Sequence, residues 1–371
     1  MSTQDRSDVQ AVADAAARIE ARARELGFHA VGFAPASQPP ADDYERFRAF
    51  LDAGLYGEMD YLARTPEVRS GVDSDAIVAG AKTVVCLAQR YDRAEPGESS
   101  GPSLENHIAR YARGRDYHGF LRKRLGKLAA YIAGLGDDVA ARAFCDAGPV
   151  LEQAWAVRAG LGFVGKNGLL ILAGRGSFCL LGEVVTTLAV PPEAYGRPVA
   201  EQCGTCTACL DGCPTGAFEA PYVLDPRRCI AYLTIESRTA PPAALRDRLG
   251  EHLFGCDDCQ TVCPHNHGLE PPAPETTAPF AALARWTTLG LADLVTLDEA
   301  GFREVAQGSP VKRAGRVGLA RNAVLLAAHR RRHGDAAAAE VLRLAAAHDD
   351  PDVAALARQA LDSGRRRRPL S

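Results

Sequence analysis

Cys203-Gly204-Thr205-Cys206-Thr207-Ala208-Cys209-Leu210-Asp211-Gly212-Cys213-Pro214 decides how this chain is read. Four thiols fall within eleven residues, and the two-residue gaps turn the backbone quickly enough to aim three of them at one point. Pro214 then forces the chain out of the loop. A second set follows: Cys229, then Cys256-Asp257-Asp258-Cys259-Gln260-Thr261-Val262-Cys263-Pro264, with the same terminal Cys-Pro. Eight cysteines therefore gather between positions 203 and 263 of a 371-residue chain.

Compartment decides what such cysteines mean. Met1–Gln10 is polar, lacks the charged-then-apolar layout of a signal peptide, and has no twin-arginine pair nearby. No apolar run approaches the ~20 residues a bilayer requires. A cytoplasmic protein with no membrane association is expected, in which thiols stay reduced and clustered cysteines hold metal rather than form disulfides. The first set has the spacing of bacterial two-cluster ferredoxins, in which three thiolates hold one cluster and the fourth reaches the other. Two zinc ions are the competing reading, but zinc ribbons use separated CxxC pairs, and four cysteines in eleven residues crowd one tetrahedral ion. Two 4Fe–4S clusters are expected. By the pseudo-symmetry of the two sets, Cys203, Cys206, Cys209 and Cys263 take cluster one, and Cys213, Cys229, Cys256 and Cys259 take cluster two. Cys86, Cys145 and Cys179 lie in apolar surroundings and are expected in the core.

Around this block the chain divides at two Pro-rich stretches, Pro191–Pro198 and Pro271–Pro274, giving expected segments 1–195, 196–270 and 271–371. The first reads as α+β. Helices are expected over 9–26, 119–134 and 150–159, the last with Pro149 at its first position, and strands over 83–88, 169–172 and 183–190. The last segment reads as all-α, with Ala/Leu-rich runs at 292–295, 319–329, 336–348 and 353–361 that resemble HEAT-like repeats.

The net charge of −3 is unevenly spread: residues 301–371 hold 14 Arg or Lys against 7 Asp or Glu. Only five of the 43 basic residues are lysines, a codon bias without functional meaning. A basic helical end on an acidic body points to a nucleic-acid partner, weighed against a solvated tail. Lys312, Arg313, Arg316 and Arg321 are the phosphate candidates, helped by Arg330–Arg332.

Two motifs in the first segment bear on cofactors. Gly160-Leu161-Gly162-Phe163-Val164-Gly165 matches GxGxxG, but a helix is expected before it and a strand after it, the reverse of a dinucleotide-binding turn. The glycines are instead expected to let backbone approach a bulky ligand beside Lys166 and Asn167. Asp116-Tyr117-His118, expected in a polar turn, opens like the D-x-H-x-x-G of histidine-ligated corrinoid proteins, yet Leu121 replaces the glycine. A histidine-ligated cobalt is therefore not expected here.

Several strings together resemble the epoxyqueuosine reductase family: Tyr111–His118, Asp146–Glu152, Ala159–Asn167, Cys213–Ala217, Cys229–Glu236 and Gly255–Pro264. The likeness runs in unbroken order over nearly the whole chain, with Phe163 where the family usually has tryptophan. The resemblance implies a cobalamin-binding catalytic domain, a ferredoxin-like domain with two 4Fe–4S clusters, and HEAT-like helices that hold tRNA. It implies base-off cobalamin, reduction of epoxyqueuosine at the tRNA wobble position to queuosine, and an external low-potential electron donor. A monomer is expected, since one chain docks one tRNA. The resemblance assigns the proton donor to Asp146, whose plain alternative is to stabilise a helix N-terminus. Arg69, Tyr117, His118, Lys166, Asn167 and Ser177 are the remaining cobalamin candidates, and Thr234, Ile235 and Glu236, between cluster cysteines, are expected to face the cofactor cavity. Two competing functions remain. A corrinoid reductive dehalogenase has an export signal and no helices after its clusters, and a ferredoxin-like carrier leaves both flanking segments unexplained.

Overall fold

The structure, a computed structural model, describes residues 3–93, 103–146 and 148–365. Ala147 and the tail arginines Arg366–Arg368 lie outside the described residues. Labels are given below to the strands and to the helices longer than five residues.

A four-stranded antiparallel sheet anchors the first half. Its strands are β1 (Ala30–Pro35), β2 (Thr83–Arg90), β3 (Ala141–Phe144) and, after the short pair β4 (Gly162–Val164) and β5 (Leu170–Leu172), β6 (Cys179–Thr186). The order is β1-β2-β6-β3. All eight residues of β2 are buried, because both faces of this strand are covered. One face meets α1 (Thr3–Glu25) and α3 (Tyr117–Ala133), which follows α2 (Ala41–Asp52); Val85, Leu87 and Val184 pack there with Leu121, Leu125 and Leu128. The other face meets α4 (Glu152–Arg158), where Val84, Cys86 and Val185 pack with Trp155 and Ala156. Strand alternation thus splits the sheet's side chains between two apolar layers.

Three local expectations differ. The sixth strand begins at Cys179 and ends at Thr186, where the Thr186 hydroxyl turns to the Ala140 carbonyl and the chain bends away. Pro149 is not in the first turn of α4, which begins at Glu152 after a bend. Asp116-Tyr117-His118 is the start of a helix rather than a turn: Asp116 caps α3 by accepting the His118 N–H at 3.1 Å. The GxGxxG glycines also have a different reason. A Cβ on Gly162 would fall 2.0 Å from the Ile171 carbonyl, so the glycine permits the β4–β5 pairing rather than the approach of a ligand.

The second half is short helices around a small hairpin, β7 (Phe218–Ala220) and β8 (Val223–Leu224). α5 (Ile230–Ile235) is followed by α6 (Leu291–Thr296), α7 (Glu299–Ala306), α8 (Gly315–Arg332), α9 (Ala338–Ala345) and α10 (Pro351–Arg365). Ile230, Leu233 and Phe254 from the Cys-rich segment share one core with Leu104 and Ile108 before it and with Leu319, Leu326 and Leu342 after it. The Pro271–Pro274 stretch therefore interrupts the chain without interrupting the core. No helix among the described residues is long and apolar enough to cross a membrane.

Candidate functional site

The Cys-rich loops come together as thiol clusters. Cys203, Cys206, Cys209 and Cys263 line one cavity of about 290 Å³, with Lys166, Asn167 and Ile171 on its wall. Lys166 Nζ donates to the carbonyls of Gly204 and Cys206 at 2.6 and 2.9 Å, and so pins the first cysteine loop. Cys213, Cys229 and Cys259 adjoin this group. Cys259 feels the charge of Cys229, Cys209 and Cys213, and Cys229 that of Cys213. Burial pushes the Cys259 thiol up to about 12 and that of Cys203 to about 11. Thiolates packed so closely without countercharge are unfavourable; a cationic metal cluster supplies that countercharge, and the donor set fits one. His252, which sequence reasoning missed, lies beside Cys256 and Asp258.

A second site forms where β3 ends. Asp146 has φ +55°, left-handed for a non-glycine residue, and turns its carboxylate toward α3. Its Oδ2 accepts from Tyr117 Oη at 2.7 Å and from His118 Nε2 at 2.7 Å. His118 Nδ1 donates to Asp116 Oδ1 at 2.7 Å, and Asp116 also accepts from Lys312 Nζ. A histidine that donates from both nitrogens to carboxylates is an imidazolium. The hydrogen bond to Asp146 accordingly raises the His118 pKa, while His118, and then Tyr117, hold the Asp146 carboxyl below its ordinary value despite burial. The depression expected from a helix dipole is thus real in sign but comes from a salt bridge. Asp146 remains half exposed, with 52% of its side chain open.

The rim of this site joins residues that the sequence singles out separately. Arg313 grips Glu236 in a fork, Nε to Oε1 at 3.0 Å and Nη2 to Oε2 at 2.9 Å. The same guanidinium lies 5.4 Å from the ring centre of Tyr61, and Arg313 also acts electrostatically on Asp146. Arg69 stands over the Phe47 ring at 5.4 Å, and its buried Nη1 has no partner. Behind Asp146, Glu152 Oε1 accepts the Asp146 backbone N–H, and Glu183 is buried in β6. The signal for Glu183 was available: it is the one charged residue in an otherwise apolar strand.

Several candidates must be reassigned. Arg321 is 4% exposed and donates to the carbonyls of Leu233, Ser237 and Thr239, so it cannot reach a phosphate. Arg316 is partly buried and ion-paired with Glu299 and Asp349. Arg330 and Arg332 pair with Glu251 and Asp247, and Arg331 donates to the Ala360 and Leu361 carbonyls. Thr234 is fully buried, donating to the Ile230 carbonyl and accepting from the Gly255 N–H; Ile235 packs beside it at the edge of the core. Ser177 is buried between Gln260 and Asn266. Asn167 bonds the Cys259 carbonyl and Leu169 N–H, within the thiol region rather than near Asp146.

Comparison with known proteins settles the family. The profile described as "Epoxyqueuosine reductase QueG, DUF1730" matches residues 72–147, and that described as "4Fe-4S double cluster binding domain" matches 202–266, a span that holds all eight cysteines. An epoxyqueuosine reductase of Gloeobacter violaceus is 40% identical over 314 residues, covering 84% of this chain and 95% of that protein. This chain belongs to the epoxyqueuosine reductase family. Another member, from Xanthomonas campestris, is 40% identical over 340 residues, covering 87% of this chain and 93% of its own. Among solved structures, a selenomethionine-labelled epoxyqueuosine reductase superposes with a TM-score of 0.84 at 28% identity, covering 95% of this chain and 91% of the other. One bound to an epoxyqueuosine-modified tRNA-Tyr stem loop gives 0.82 at 26%, covering 97% and 96%. The fold, mixed helix and sheet with a 4Fe–4S domain, is thus that of epoxyqueuosine reductases.

Proposed function

We propose that this chain reduces the epoxide of tRNA-borne epoxyqueuosine to queuosine, with Asp146 delivering a proton to the departing oxygen. The observation that carries this reading is the Tyr117–His118–Asp146 network, a half-open carboxylate backed by an imidazolium, in a chain of this family. Removing an epoxide oxygen as water consumes two electrons and two protons. At rest Asp146 is ionised and the proton resides on His118 Nε2, 2.7 Å from Asp146 Oδ2. Asp146 passes that proton to the alkoxide oxygen as negative charge develops there, and Asp116 with Lys312 keeps His118 oriented. Tyr117 fixes the carboxylate rotamer.

The eight thiols would hold two 4Fe–4S clusters, Cys203, Cys206, Cys209 and Cys263 around one and Cys213, Cys229, Cys256 and Cys259 around the other. These supply low-potential electrons one at a time from an external donor. Cobalamin would supply the reducing chemistry at the epoxide. One observation supports that cofactor: Arg69 Nη1 is a buried donor suited to a corrinoid phosphate or amide oxygen. Both His118 nitrogens are spent, so this histidine would not ligate its cobalt. Lys312 and Arg313, both at the rim of the Asp146 site, would meet the tRNA backbone, since Arg316 and Arg321 cannot. The same reading gives a monomeric cytoplasmic enzyme with a cobalamin-binding segment over 1–195, a two-cluster segment over 196–270 and HEAT-like helices over 271–371.

The test is anaerobic incubation of the reconstituted protein and its Asp146→Asn variant with cobalamin, reductant and epoxyqueuosine-containing tRNA, followed by nucleoside mass spectrometry. Loss of one oxygen that requires cobalamin and Asp146 supports the reading. No loss, with clusters and corrinoid bound, overturns it.

A further inference from the structure

Two acidic side chains lie behind Asp146 with no cation between them. Glu152 opens α4, and its Oε1 accepts the backbone N–H of Asp146 six residues earlier. That amide leads directly into the left-handed residue, so one side-chain acceptor holds the strained conformation of the loop. Glu183, in the middle of β6, is 0% exposed, and neither of its carboxylate oxygens has a hydrogen-bond partner. Val184 packs against the α1–α3 layer and Val185 against the α4 layer, so alternation directs Glu183 to the α4 face, where Glu152 is based.

The groups that face this pair are few. From β2 comes Cys86, opposite Glu183 in the strand register, and from the end of β3 come Cys145 and Asp146; Arg142 of β3 shares this face but lies over the Phe144 ring and donates to the Ala76 and Ile77 carbonyls. From α3 comes His118, which acts on Glu152, while Arg122 reaches only as far as Cys145. Arg158, on the last turn of α4, lines a separate cavity beside Pro35 and Tyr195. β1, β4 and β5 carry no titratable residue. An ionised Glu183 would have no compensation in this setting, so it is a neutral carboxylic acid. Burial, and then the charge of Asp146, lifts Glu152 to about 8, and burial, and then Glu152, lifts Glu183 well above the ordinary range.

We propose that Glu152 is a protonation-gated clasp: while neutral it positions Asp146 by accepting its amide, and on ionising it expels the Asp146 carboxylate from the site. Glu183 is the buried neighbour that opposes this ionisation. The physical basis is simple. A neutral carboxyl accepts an N–H through its carbonyl oxygen without repelling a carboxylate beside it, whereas an ionised one adds a second negative charge next to the first. This rests on the reading of Asp146 as the proton donor.

The experiment compares wild-type holoenzyme with Glu152→Gln, Glu152→Ala and Asp146→Asn from pH 6 to 9.5, measuring kcat and the KM for tRNA. Hydrogen exchange of the peptide spanning 144–151 is followed at pH 7 and 9. Wild-type kcat should fall above about pH 8 with KM unchanged, while exchange of the peptide accelerates. Glu152→Gln, which still accepts the amide but cannot ionise, should lose the accelerated exchange at pH 9 and keep only the alkaline fall that deprotonation of His118 causes. Glu152→Ala should lower kcat about tenfold or more at pH 7, with fast exchange at both pH values. Accelerated exchange at pH 9 that persists in Glu152→Gln, or wild-type kcat in Glu152→Ala, overturns the clasp. Normal turnover by Asp146→Asn instead overturns the underlying assignment of the proton donor, so the two failures are distinguishable.

Discussion

Replacing Arg321 with methionine separates two opposite roles for a basic residue of the helical end. As a phosphate contact, its loss would weaken tRNA binding and leave stability alone. The structure makes it an internal tie instead: five hydrogen bonds leave its guanidinium, at 2.8 Å to the Ser237 and Thr239 carbonyls, 3.0 Å to that of Leu233, and 3.1 and 3.2 Å to Asn322 Oδ1. Methionine fills a similar volume but donates nothing. The Thr239 carbonyl keeps the Ser237 hydroxyl, whereas those of Ser237 and Leu233 lose this donor. Each buried acceptor deprived of a donor costs about 1–3 kcal/mol, and Asn322 Oδ1 loses its Arg321 donor as well. Relief of burying a cation, whose pKa is pushed down to about 10 by that burial, offsets part of this. A net loss of about 3–4 kcal/mol follows from these terms. At about 2.1 cal/mol/K per residue, a 371-residue chain unfolding as one unit should lose roughly 4–5 °C of Tm. Calorimetry reads the shift, and filter binding across a salt series reads the tRNA contact. An unchanged Tm, together with a shallower salt dependence of binding, would refute the structural role.

The surface pair should behave in the contrary way. Lys312→Ala with Arg313→Ala should weaken tRNA binding and reduce the slope of log K against log salt by roughly 0.7 per lost contact, and an unaltered slope would place the tRNA elsewhere. The His118–Asp146 bridge carries a pH signature. His118 is raised above its usual 6.5, so its contribution is complete below that value and lost as pH climbs through the raised one. Asp146 is lowered beneath its usual 3.8, so its contribution is present above that value and lost as pH drops through the lowered one. The bridge is therefore strongest between about pH 3.8 and 6.5. Ring NMR should show His118 titrating above 6.5 in the wild type and nearer 6.5 in Asp146→Asn; an ordinary value in the wild type would remove the imidazolium from the argument.

What can be read along the chain here is whatever depends on local spacing. The cysteine gaps, the Cys-Pro exits, the apolar β2 and the Ala/Leu-rich helices are all short-range patterns, and each appears in the structure where the spacing puts it. Charge behaves differently. A residue count cannot tell a solvated arginine from one folded inward, because that depends on which carbonyls arrive from elsewhere. Arg321 meets the 233–239 segment more than eighty positions away, and Arg316 meets carboxylates on both sides of it, so a surplus that reads as a tRNA face is largely consumed internally. Lys312 and Arg313, turned back over the site, lie at its rim.

By itself, then, the sequence determined the thiol inventory, the place of β2 and of several helices, and the family, since all three are written in order along the backbone. Tertiary structure alone decided the chemistry around Asp146. Tyr117, His118, Glu152, Glu236 and Arg313 come from separate stretches, and each moves protons or charge on its neighbours only at hydrogen-bond and contact distances. Those distances exist after the sheet, α3 and the α8 end have packed, because a pKa is a property of surroundings rather than of a residue.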